Sequence, residues 1–75
     1  MQQIINPKHE LIGVYDTDTK TAMLLEKYNS PLHWSIIRNS LRKDSVLNPG
    51  QFELQQLEQM LSVNKVNPVK IMVLI

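Results

Sequence analysis

The sequence predicts a single α+β domain over residues 1–75 that is mostly helical, with three to four short helices, a helix-turn-helix among them, and short N-terminal and C-terminal strands. Three observations carry that expectation. Every proline follows Asn or Ser, in the pairs Asn6-Pro7, Ser30-Pro31, Asn48-Pro49 and Asn67-Pro68. Apolar residues recur at helical spacing behind the second and third pairs. Behind the fourth, Val69-Lys70-Ile71-Met72-Val73-Leu74-Ile75 is apolar and rich in β-branched residues, which reads as a strand.

Asn and Ser side chains accept from the unpaired amides of a first helical turn, and a following proline has its φ preset and no amide to leave unpaired. On that logic Pro7 to Val14 is a first, weaker helix interrupted by Gly13. Residues 19–28 admit two readings. As a helix they are capped by Thr17 or Asp18 and bury Ala22 and Leu25; as a strand they pair with Leu11–Tyr15 across Asp16-Thr17-Asp18-Thr19. The run Ala22-Met23-Leu24-Leu25 does not alternate and consists of good helix formers, which favours a helix over 20–28. Pro31 to Arg42 forms the next helix, with Leu32, Trp34, Ile36, Ile37 and Leu41 spread over a broad apolar face and Ser35, Arg38, Asn39 and Arg42 on the polar arc. The last helix runs from Pro49 to Leu61, started by a capping box of Asn48 and Gln51 and stabilised through Leu54, Leu57 and Leu61.

A chain of 75 residues buries about 60–65% of the surface that its unfolded form exposes, and its core rarely supplies more than roughly 3–5 kcal/mol. With no cysteine there is no disulfide or thiolate metal site to add a margin, and His9 and His33 stand apart from any metal-ligand spacing. A second subunit is the remaining source. The C-terminal strand has only Gln2–Ile5 as an obvious partner within the chain, and a two-stranded ribbon is marginal alone. The expectation is a homodimer built on Val69, Ile71, Val73 and Ile75; the alternative is a monomer whose tail folds onto the 49–61 helix. No apolar run reaches the roughly 18 residues of a membrane span, and the opening residues lack a signal-peptide pattern, so the expected location is cytoplasmic, with no membrane partner.

No GxSxG, HExxH, P-loop or GxGxxG motif is present, and two glycines cannot build a phosphate cradle. Asp16 and Asp18 are explained by turn chemistry. The expectation is therefore a binding protein, without enzymatic activity, metal or cofactor. Charge is uneven: residues 19–43 hold Lys20, Lys27, Arg38, Arg42 and Lys43 against Glu26 alone, while the remainder is acidic and the total is +1. A basic middle segment suits a polyanion. Ala22 is small enough for two helices to cross, Leu25 packs beneath it, and Ser30-Pro31 starts a second helix, as a helix-turn-helix requires.

Here the string Thr19-Lys20-Thr21-Ala22, then Leu25, Tyr28, Ser30 and Ile36, resembles the corresponding stretch of the small Cro repressors of lambda-like phages, and Met1, Gln3 and Ile5 are similar as well. Leu32 stands where that family has isoleucine, and Glu26 stands where it prefers glycine. The resemblance implies a dimeric helical repressor with terminal β structure, bound to a palindromic operator in double-stranded DNA. By position it makes Thr19, Tyr28, Asn29, Ser30, His33 and Trp34 the residues facing DNA, while charge alone offers Lys27, Arg38, Arg42 and Lys43 as phosphate contacts, and Lys20 joins the DNA-binding set. The competing expectation is a small adaptor or inhibitor that docks on a host protein through an apolar surface at Trp34, Ile37, Leu41 and the C-terminal strand.

Overall fold

A computed structural model describes the backbone of residues 1–75 and every side chain except those of residues 49–51. Strands Gln2–Ile5 (β1), Leu11–Asp16 (β2), Thr21–Leu25 (β3), Val46–Phe52 (β4) and Ile71–Met72 (β5) form one sheet in the order β4-β3-β2-β1-β5. Among the described residues there are two α-helices, Pro31–Arg38 (α1) and Leu54–Val63 (α2), and a 3₁₀ turn at Glu26–Tyr28. β1, β2 and β3 make an antiparallel meander; β4 joins β3 in parallel and β5 joins β1 in parallel.

The mostly helical expectation with three to four helices is therefore corrected: the molecule is a mixed sheet with a helix on each face. The helix expected over 7–14 is a turn and a strand. The Asn6 side chain, buried, accepts from the amides of Lys8 at 3.0 Å and Glu10 at 2.9 Å, and donates to the Glu10 carboxylate at 3.1 Å. Asn-Pro opens a turn as readily as a helix, because the same side-chain oxygen serves either set of amides. His9, at φ 63, completes the reversal.

The helix expected over 20–28 is β3 followed by the 3₁₀ turn. Asp16 Oδ1 accepts from the Asp18 amide at 3.0 Å, Lys20 takes φ 56, and the chain returns with Val14 opposite Met23 and Tyr15 opposite Ala22. The helix-turn-helix falls with it, since its first helix is a strand held between β2 and β4. Propensity misleads here for a physical reason. β3 is packed on both faces, Ala22 and Leu24 toward α1 and Met23 and Leu25 toward α2. A strand buried on both sides has no polar face, so its sequence shows an apolar run instead of an alternation.

α1 starts at Pro31 as expected but ends at Arg38, where turns from Ser40 to Ile37 (2.9 Å) and from Leu41 to Arg38 (3.1 Å) replace the helical ladder. α2 begins at Leu54 and not at Pro49. Its reach-back comes from Gln56, whose Oε1 accepts from the Glu53 amide at 2.8 Å; the Gln51 side chain of the expected capping box lies outside the described residues. The expected terminal strands both form, and they pair with each other, Ile4 opposite Ile71 and Ile5 opposite Met72.

The two crossovers run in opposite senses across the sheet. β3–α1–β4 steps outward to one edge, and β4–α2–β5 returns past three strands to the other. Crossovers of one hand that travel in opposite directions must lie on opposite faces. Accordingly, Ile37 of α1 packs on Ile4, Ile12 and Leu24, and Leu57 of α2 packs on Val14 and Leu25. β2 carries a bulge opposite β1: Ile4 faces Gly13 and Ile5 faces Leu11, which leaves Ile12 as the extra residue. Gly13 has no room for a side chain, since a Cβ there would meet the Met23 carbonyl oxygen and lie 2.8 Å from Leu24 Cδ2.

Gly13→Ala is accordingly expected to cost about 1–3 kcal/mol by overpacking, although alanine ordinarily suits a strand better than glycine. Urea unfolding monitored by circular dichroism checks this. A midpoint equal to or above that of the unsubstituted chain would contradict the close packing of β2 on β3.

Candidate functional site

α1 sorts the expected DNA-contact residues into two groups, one at each end. Before its first turn, the 3₁₀ segment brings Tyr28, Asn29 and Ser30 beside His33 and Trp34. Ser30 caps α1: its Oγ accepts from the His33 amide at 3.3 Å and lies 2.8 Å from His33 Nδ1. With the amide occupying one lone pair, the hydroxyl proton is available to Nδ1 of a neutral imidazole. The His33 and Tyr28 rings meet edge to face, centroids 5.3 Å apart. Trp34 Nε1 donates to Asn29 Oδ1 at 2.8 Å. The Lys27 ammonium sits 5.1 Å from the Tyr28 ring centroid, within cation–π range.

Five of the residues assigned to DNA by resemblance thus come together, but Ser30 and His33, and Asn29 and Trp34, turn polar groups on one another, and Tyr28 meets His33 through its ring. Trp34 and Tyr28 pack against the core. The cluster does a structural job, seating the first turn of α1 on the end of β3. The apolar side that the helical pattern assigned to Trp34, Ile37 and Leu41 is turned inward, so the docking surface expected there is occupied by the sheet.

The second group gathers at the far end, about 12 Å along the helix axis for eight residues. Lys20, at the end of the β2–β3 turn, pairs with Asp44, and Arg42 Nε lies 3.5 Å from the other carboxylate oxygen. The hydrogen bond from Lys20 is the main reason the Asp44 carboxyl is held below the usual range; the charges of Lys20 and Arg42 act in the same direction. Thr19 is an exposed turn residue. Arg38 and Lys43 are exposed and join no ion pair among the described residues. Lys20 and Arg42 are therefore committed to tying the β2–β3 turn to the loop before β4. Nearby, the Tyr15 hydroxyl and Ser45 Oγ are 2.9 Å apart and fasten the same loop to β2.

At the opposite edge of the sheet, three of the four residues expected to form a dimer are spent inside the monomer. Val73 is fully buried and its amide donates to the Ile5 carbonyl at 2.8 Å, while Ile71 and Ile75 pack in the same cluster. Val69 is exposed, and so are two residues that sequence reasoning passed over, Met72 at 48% and Leu74 at 78%. Alternation along 71–75 was legible; which parity faced inward was fixed only by the pairing of Ile71 with Ile4. Among the described residues no group of three or more His, Asp or Glu side chains could hold a metal ion, and no helix is long and apolar enough to cross a membrane.

The Asp44 pair gives a measurable pH response. The folded carboxyl titrates below the unfolded one, so the stability it contributes is present above the ordinary Asp value of about 3.9 and is lost as pH falls through the lowered folded value. Carbon-detected NMR titration of Asp44 should give a midpoint below about 3.9, and Lys20→Met should move it up toward that value. A midpoint indifferent to Lys20→Met would show that the pair does not persist in solution.

Compared with protein-family models, with curated proteins and with solved structures, the chain matches none, so its function has to be argued from the residues and geometry described above.

Proposed function

We propose that this chain is a non-catalytic docking module that adds a strand of a second polypeptide to the free edge of β5. The observation that supports this is the exposure of Met72 on the outermost strand of the sheet and of Leu74 just beyond it. A terminal strand presents a row of unpaired amides and carbonyls, and sheets that remain single blunt such edges with charge, proline or cover. Here Pro68 and Lys70 lie ahead of the paired residues, and from Ile71 to Ile75 no charge or proline interrupts the edge. Main-chain hydrogen bonds would supply affinity, and Met72 and Leu74 would select apolar side chains on the incoming strand.

The partner we assign is another copy of the same chain. Antiparallel pairing of β5 with its equivalent about a two-fold axis is self-complementary, and it sets apolar residues against apolar residues. It also supplies the margin that a small cysteine-free core lacks. The repressor alternative has lost the helix-turn-helix on which it rested. Its basic residues Lys20 and Arg42 are engaged with Asp44, and Lys27 is engaged with Tyr28.

Sedimentation over a concentration series should show a reversible monomer–dimer equilibrium, and the double variant Met72→Lys, Leu74→Lys should be monomeric with an unchanged circular dichroism spectrum. Duplex DNA at low salt should leave the sedimentation of the unsubstituted chain unaltered. A monomer throughout the series, or a dimer indifferent to the two lysines, would defeat the proposal; a DNA complex that weakens steeply with salt would favour the repressor instead.

A further inference from the structure

We infer that the cavity beneath the loop after α1 is a binding site for a small carboxylate with a short apolar tail. α1 has eight residues, about 12 Å, whereas β2 beneath it has six, about 20 Å. The helix stops at Arg38, so one end of the sheet is roofed by a loop instead. The cover is incomplete and leaves about 240 Å³ between Gln2, Tyr15 and Ile71 of the sheet and Ser40, Leu41 and Arg42 of the loop. That volume suits a ligand smaller than a drug-sized molecule. The inference does not depend on dimerisation, because Ile71 is a side chain that β5 packs inward, not one it leaves at the free edge.

The protein's own contacts hold this cavity open. Lys20 pairs with Asp44, and the Val46 amide donates to the Lys20 carbonyl at 2.8 Å, which ties the far end of the loop to the β2–β3 turn. The Tyr15 hydroxyl lies 2.9 Å from Ser45 Oγ and pins the loop to β2. A site whose walls are fixed in advance need not be ordered by its ligand. Tyr15 is 4% exposed, and it lines the cavity opposite Gln2 of the neighbouring strand. Of the two hydroxyl protons in the Tyr15–Ser45 pair, one serves the pair itself. The other has no acceptor among the described residues, so a buried donor is left for a ligand oxygen.

The rest of the wall sets the ligand's charge. Thr17 and Ser40 add hydroxyls, Arg42 adds a guanidinium, and no carboxylate lines the cavity. Arg42 reaches Asp44 only through Nε, at 3.5 Å, so its two terminal amino groups remain for the fork that matches a carboxylate. Asp44 does not cancel this charge, because Lys20 and Arg42 share it and two positive charges meet one negative. Asp16, between Tyr15 and Thr17 in sequence, turns its carboxylate to the amides of Asp18 and Thr19, at 3.0 and 3.4 Å. Asp18 borders a separate hollow in company with Lys65. Leu41 and Ile71, packed on the core, supply the apolar part of the wall. A carboxylate on a short alkyl tail satisfies the donors and the apolar surface together; an ammonium on the same tail meets Arg42 with like charge.

Amide-resolved NMR titration with n-butyrate, n-butylammonium and 1-butanol, which share a tail and differ in the head group, tests this. Butyrate is expected to shift the amides of Tyr15, Thr17, Ser40, Leu41, Arg42 and Ile71 with millimolar affinity, and butylammonium to bind there much more weakly. Arg42→Met should weaken butyrate about three- to fivefold, the scale of one exposed ion pair, and leave 1-butanol unaffected. Tyr15→Phe should weaken butyrate about tenfold, the scale of a hydrogen bond to a charged group. Should Tyr15→Phe lose amide dispersion, Arg42→Met, a change to an exposed side chain, decides alone. Equal binding of butyrate and butylammonium, shifts confined to other residues, or a butyrate affinity indifferent to Arg42→Met would overturn the inference.

Discussion

Burial of β2 on both of its faces is the constraint to which the other elements answer. A strand covered on one side alone would leave either Ile12 or Val14 in water, yet both are fully buried. Covering both sides takes a helix on each face, and a helix that crosses a sheet needs parallel strands to leave from and return to. β4 and β5 supply these at the two edges, so the direction of every strand follows from the need to cover the middle one. The bulge at Ile12 belongs to the same requirement. It lets β2 present Ile12 to the α1 face without giving up Val14 on the α2 face, while Gly13 keeps β3 close enough for Leu24 to fill the space beside it.

That double burial also decides how much of the fold could be read from the residues. α1 and α2 were legible because each has one wet side, which imprints a helical repeat on Leu54, Leu57 and Leu61 and on Trp34 and Ile37; Leu41, read into the same repeat, lies beyond the end of α1. β2 and β3 were not, because Ala22-Met23-Leu24-Leu25 has apolar neighbours in both directions and no polar residue to betray a period of two. The Asn-Pro pairs were ambiguous in principle: Asn6 uses on the amides of Lys8 and Glu10 the oxygen that a helix cap would use on its first turn. The terminal strands were legible through their β-branched residues, and they had to find each other, since few other edges were open.

The candidate sites show the same division. Residue types drew attention to Tyr28, His33 and Trp34 and to the basic residues around position 42, and the structure does gather them, but the hydrogen bonds of His33 and Trp34 and the charges of Lys20 and Arg42 go to holding α1 and its flanking loops, while Arg38 and Lys43 stay exposed. The surfaces left over lie at Met72 and Leu74 and between Tyr15 and Leu41. Neither bears a motif. Each is produced by where the chain turns, which is a property of pairing between distant segments and is not written in any short stretch of sequence.

β5 also imposes an order in time. The meander joins residues within about two dozen positions of the N-terminus, whereas the contact of Ile4 with Ile71 closes a loop through nearly the whole chain. The entropy of that closure falls due before Val73 gains its place beside Ile5, so β5 docks after the meander and the β3–α1–β4 crossover have formed. The strand that joins last through so few pairs is also the one whose opening costs least, and its opening bares the outer edge of β1. A molecule in that half-open state can take the β5 of a neighbour in place of its own, which makes exchange of this strand between chains the characteristic hazard of the fold at high concentration.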